Sequence, residues 1–140
     1  MYLTILVALD GSPREPAVFQ TACALAQRSG AALHACRAVT VPVGIPEAVW
    51  AVPQGQLDAA LLTDATTALA QRVADGSPQV ARQHVRIGQP TDVVLDVAKE
   101  IGADLIVIGA HGYGAFERLI GSTASKIVHR APCSVLVSRS

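Results

Sequence analysis

The chain has 140 residues, about half of them apolar, with 11 basic and 11 acidic residues that cancel. A chain of this length is the size of one compact domain and buries roughly two thirds of its unfolded surface. Neither sign of charge forms a block, which excludes a broad electrostatic footprint for nucleic acid or an anionic membrane, so any phosphate must be held by a local device.

The first apolar run, Leu3-Thr-Ile-Leu-Val-Ala-Leu9, has the length of a short signal core. No basic residues precede it, however, and it runs straight into Asp10-Gly11-Ser12, so it reads as a buried strand over about residues 2–9. Ser12-Pro13-Arg14-Glu15 has the form of a capping box with proline at the first helical position. Pro16 removes the first regular helical hydrogen bond, which lets this start slip by a few residues. A second strand is expected over about 31–39. Residues 40–56 hold three prolines, two glycines and Trp50 without a clean period, and read as a long surface loop.

Leu61, Leu62, Ala65, Leu69 and Val73 mark a second helix over about 57–75, closed by Gly76-Ser77-Pro78. A third strand follows over about 82–87. The third helix has Pro90 in its first turn, Val93, Val94, Val97, Ala98 and Ile101 on one stripe, and Gly102 just past its end. The fourth strand spans about 104–109. Ile120, Ala124, Ile127, Val128 and Ala131 repeat the helical spacing until Pro132 stops it, and a fifth strand is expected over about 133–138.

Apolar runs alternating with helical segments are the signature of βαβ units, and imply one doubly wound α/β domain with five parallel strands and four helices. No apolar run approaches a membrane span, and the expected location is the cytoplasm. Cys23, Cys36 and Cys133 sit singly in apolar segments, reading as small core residues rather than a disulfide framework or zinc site. The four histidines show no metal-ligand spacing.

The chemistry concentrates in Ile108–Thr123, where a strand runs into glycines and a second Gly-Ser-Thr opens a helix. That arrangement builds an anion cradle from backbone N–H groups. In an open α/β sheet the ligand crevice lies beyond the strand C-termini where strand order reverses, which puts Asp10 opposite Gly109 if strand one lies between strands two and four. Gly109 and Gly112 let backbone approach a ligand, while Gly121, Ser122 and Thr123 offer donors at a helix N-terminus. Asp10 is a short carboxylate suited to ribose hydroxyls. Any one of these also suits an ordinary turn or cap; the conjunction outlines a nucleotide. Gly-x-x-x-x-Gly-Lys-Ser/Thr is absent, and Gly112-Tyr-Gly114-Ala-Phe-Glu117 fails the dinucleotide fingerprint.

From Ile5 to Val137 the chain resembles the universal stress protein family. The resemblance is carried by Val7-Ala-Leu-Asp-Gly-Ser12, Gly88-Gln-Pro90, Asp104-Leu-Ile-Val-Ile-Gly-Ala-His-Gly112, Gly121-Ser122 and Ala131-Pro-Cys-Ser-Val-Leu-Val137. It implies an adenine nucleotide alpha hydrolase-like sheet of order 3-2-1-4-5 and an ATP or AMP site, with Mg2+ held through the phosphates. Asp10 would hold the ribose, Ala8 and the Ala38 backbone would flank adenine, and Ile108 with Gly109 would line base and ribose. Gly112, Gly121, Ser122 and Thr123 would carry the phosphates. The family's nucleotide-binding branch places nine residues between the second and third glycines, whereas Tyr113 to Ile120 supplies eight. One missing residue shortens the reach by up to about 3.5 Å, which flexible Gly114 is expected to absorb.

These features imply a nucleotide-binding stress or regulatory protein. Hydrolysis would be slow at most, because the bases near the cradle are Asp10, engaged with ribose, and His111. The alternative is a dimeric interaction module of the same fold that leaves the crevice empty. In either case the resemblance implies a homodimer through strand 133–138. A flavodoxin or receiver domain shares the topology, but Asp10-Gly-Ser-Pro-Arg provides neither a hydroxyl-rich phosphate loop nor an acidic cluster.

Overall fold

Five parallel strands form one sheet of order β3-β2-β1-β4-β5 in a computed structural model that describes residues 1–40, 54–74, 80–110 and 122–139. The strands are β1 (Thr4–Ala8), β2 (Ala32–Val39), β3 (Arg82–Ile87), β4 (Leu105–Gly109) and β5 (Ser134–Ser138). The helices are α1 (Glu15–Ser29), α2 (Gln54–Ala74), α3 (Pro90–Ile101) and α4 (Ser122–Arg130). The expected class and strand order are those observed, with β1 between β2 and β4, and the four expected helices are found among the described residues.

The central strands are apolar on both faces because helices cover both. Ile5, Val7, Leu33, Ala35, Leu105 and Val107 point to one side and pack with Val18, Phe19, Ala22 and Ala26 of α1 and Leu69 of α2. Leu6, Cys36, Ile106 and Ile108 point to the other and pack with Val93, Val94, Val97 and Ala98 of α3 and Ala124 and Ile127 of α4. Each fully buried Ile or Leu contributes roughly 1.5–3 kcal/mol relative to exposure, so both layers hold the sheet. At the sheet's N-terminal end, the Asp104 carboxylate accepts from the N–H groups of Leu3 (2.8 Å) and Thr4 (3.1 Å), aligning β4 with β1. Those bonds hold its carboxyl below the usual range.

Three local expectations need correction. Ser12 does not cap α1: the helix starts three residues later, with Arg14 at the cap and Pro16 in the first turn, where a missing N–H costs no helical bond. Residues 54–56 belong to α2 rather than to the preceding loop; Gly55 and Gln56 are exposed, so this turn carries no apolar stripe to announce it. On α4, Ala124 and Ile127 are buried but Val128 is 44% exposed, and Ala131 lies beyond the helix end. Strand ends differ from expectation by one or two residues. Gly102 ends α3 at φ 67° as anticipated.

Candidate functional site

A cavity of about 470 Å³ opens at the C-terminal ends of the strands, where strand order reverses on either side of β1. Seven of the nine expected site residues line it: Ala8, Asp10, Ala38, Ile108, Gly109, Ser122 and Thr123. Gly112 and Gly121 lie outside the described residues, as do His111, the spacer Tyr113 to Ile120 with Gly114, and Trp50.

The cavity has an apolar and a polar side. Ala8 and Ala38 are small residues at the ends of β1 and β2, so they leave room above the sheet, and Cys36, Val94 and Ile108 add apolar walls. The Cys36 thiol, fully enclosed, is pushed up to about 12 by burial and stays protonated. Sequence reasoning missed Cys36, Thr40, Glu15 and Pro90 as lining residues. Pro90 and Thr40 had a legible signal, since each directly follows a strand or opens a helix at the sheet's C-terminal end.

The polar side consists of Asp10, Ser12, Glu15, Thr40, Ser122 and Thr123. The first turns of α1, α3 and α4 all reach this cavity, through Glu15, Pro90 and Ser122. Helix N-termini present unpaired N–H groups and the positive end of the helix dipole. Among the described lining residues there is no Lys or Arg; Glu15 is paired with Arg72 of α2, and the helix termini are what would attract an anion into the cavity.

Asp10 sits in a tight turn built by side chain to backbone bonds. Its Oδ1 accepts from Ser12 N–H (2.9 Å), and Ser12 Oγ accepts from Arg14 N–H (3.3 Å). Gly11, at φ 76°, donates its N–H to Glu15 Oε1 (3.0 Å), and Glu15 Oε2 accepts from Arg72 Nε of α2 (3.1 Å). Glu15 is 7% exposed, so its charge is satisfied by these partners rather than by water.

The structure also joins two histidines that spacing did not connect. His34 Nδ1 and His84 Nε2 are 3.2 Å apart across β2 and β3, with ring centroids 5.5 Å apart and planes at 18°. Rings meeting nitrogen to nitrogen, rather than face over face, account for both distances. Burial, reinforced by Arg82, pushes His34 below the ordinary imidazole range. Burial, then His34, Arg86 and Arg82, pushes His84 the same way against an opposing Glu100. Among the described residues no three metal-ligating side chains converge, here or elsewhere.

The profile of the universal stress protein family matches residues 1–139. The chain belongs to the universal stress protein family. Universal stress protein A homolog 1 of Coxiella burnetii is 30% identical over 136 residues, covering 96% of this chain and 94% of its own. Among solved structures, universal stress protein UspA from Lactobacillus plantarum is 35% identical with a TM-score of 0.77 and 97% of each chain covered. A universal stress protein solved in complex with cAMP is 26% identical with a TM-score of 0.66, covering 98% of this chain and 97% of its own. The doubly wound sheet of order β3-β2-β1-β4-β5 is thus a universal stress protein fold in every strand.

Proposed function

We propose that this universal stress protein binds an adenine nucleotide, AMP or ATP, in the cavity at the switch point and acts as a sensor or regulator with at most slow hydrolysis. The observation that carries the reading is the convergence of small apolar walls, one carboxylate turn and three helix N-termini on a single space large enough for a nucleotide-sized ligand. The related universal stress protein in complex with cAMP supports an adenine ligand.

In this reading Ala8, Ala38 and Ile108 take the base, Asp10 the ribose, and Ser122 and Thr123 the phosphates, joined by backbone N–H groups of Gly112 and Gly121. Mg2+ would arrive on the phosphates and neutralise charge there; the Ser122 and Thr123 hydroxyls beside them are oxygen donors of the kind it prefers. The three free cysteines suit a reducing compartment such as the cytoplasm.

The reading includes a homodimer through β5. Both β3 and β5 are edge strands, but β3 reads Arg-Gln-His-Val-Arg-Ile whereas β5 reads Ser-Val-Leu-Val-Ser. Charges on an exposed edge discourage pairing, and an apolar, uncharged edge invites it.

Native mass spectrometry tests both parts. The expected species has twice the chain mass and carries one adenine nucleotide per chain, released on heating. An Ala38→Leu variant, which fills the base end of the cavity, keeps the dimer and carries none. A nucleotide-free protein that does not take up added AMP or ATP removes the ligand reading; a single-chain mass removes the dimer.

A further inference from the structure

We propose that Glu15, held by Arg72, is a positioning residue for the ribose-binding turn, an inference that rests on the nucleotide reading above. The turn Asp10-Gly11-Ser12 joins β1 to α1 and brings the Asp10 carboxylate to the cavity. Its central residue, Gly11, has a left-handed backbone at φ 76°, and the orientation of its peptide N–H sets how the two flanking residues are presented. That N–H is taken by Glu15 Oε1 at 3.0 Å, and Arg37 closes on the same glycine, since a Cβ there would stand 2.7 Å from Arg37 Nη2.

Glu15 cannot hold the turn alone. A buried carboxylate needs a second partner, and Oε2 finds it in Arg72 Nε at 3.1 Å, 57 residues away in sequence on α2. The pair therefore fastens the turn to a helix that packs on β2 and β3, not only to its own helix. A carboxylate is required because both of its oxygens accept. Glutamine offers one accepting oxygen and one donating NH₂, so either Gly11 N–H or Arg72 Nε loses its partner. The arrangement fixes Asp10 before a ligand arrives, which lowers the ordering cost of binding and concentrates the benefit at the ribose hydroxyls.

The test compares AMP with 2′,3′-dideoxy-AMP by titration calorimetry in the intact protein. Wild type is expected to prefer AMP by about tenfold or more, the effect of hydrogen bonds to a charged acceptor. Glu15→Gln and, independently, Arg72→Gln should collapse that preference to within about threefold while leaving dideoxy-AMP affinity within about twofold, and neither should add to Asp10→Ala. A purely structural role would weaken both ligands equally, and that result overturns the proposal, as does an undiminished preference in both variants. Wild type that binds AMP without distinguishing the dideoxy form overturns the positioning role and leaves the nucleotide reading standing. Wild type that binds neither ligand overturns both.

Discussion

Gly11 shows how much a single backbone angle controls here. At φ 76° any residue with a Cβ is strained by roughly 1–2 kcal/mol, and the Cβ would also displace the end of the Arg37 side chain. Gly11→Ala should therefore lower unfolding free energy in urea by about that amount, whereas Gly55→Ala, in open space on the first turn of α2, should be neutral or stabilising. Equal effects at the two glycines would contradict the special role of the turn. Asp10, Ser122 and Thr123 were legible in the sequence because a strand followed by Asp-Gly-Ser, and a Gly-Ser-Thr opening a helix, each have a local physical meaning. Glu15 and Arg72 were not. Their contact depends on how α1 and α2 lie on the sheet, and nothing in the spacing of two residues 57 apart expresses that.

Among elements, the attachment of β3 to β2 is expected to depend on protonation. It pairs with β2 in a register that sets His34 opposite Arg82 and Cys36 opposite His84, so the two imidazoles are diagonal neighbours. The groups facing them are Arg82 and Arg86 from β3 and Glu100 from α3, the last engaged by Arg86 Nη1 at 3.0 Å. Both imidazoles sit below their ordinary value of 6.5 in the folded protein. The unfolded chain then binds more protons below 6.5, so this stabilisation is complete above that pH and is lost as pH falls toward the folded values. The thermal midpoint should drop between pH 7 and pH 5, and His34→Gln/His84→Gln should flatten the drop; an unchanged slope would rule out the pair as its source. Sequence periodicity identified both strands, but the pair stayed hidden because the β2–β3 register is a tertiary fact. Likewise α3 was readable from Pro90, its valine stripe and Gly102, while the exposed first turn of α2 had no stripe to read.

For the whole molecule, the order of the sheet does the functional work. With β1 central, α1 and α4, the helices that follow β1 and β4, pack on opposite faces of the sheet, and the cavity opens between them at the strand ends. Small residues at Ala8, Ala38 and Gly109 keep that space open, and three helix N-termini give it a polarity suited to a phosphate. The adenine nucleotide proposed above pairs a base with an anionic group, matching the apolar and polar sides of the cavity. The Asp10 carboxylate favours a ligand with hydroxyls to donate, so ribose matters as well as phosphate. Calorimetric titration of AMP into the intact protein and into Asp10→Ala tests this most directly. Saturable binding at one AMP per chain is expected in the wild type, and at least about tenfold weaker binding in the variant, which still unfolds in one cooperative transition after losing the Asp10–Ser12 bond. Absence of saturable heat in the wild type, or equal affinity in the two proteins, would contradict it.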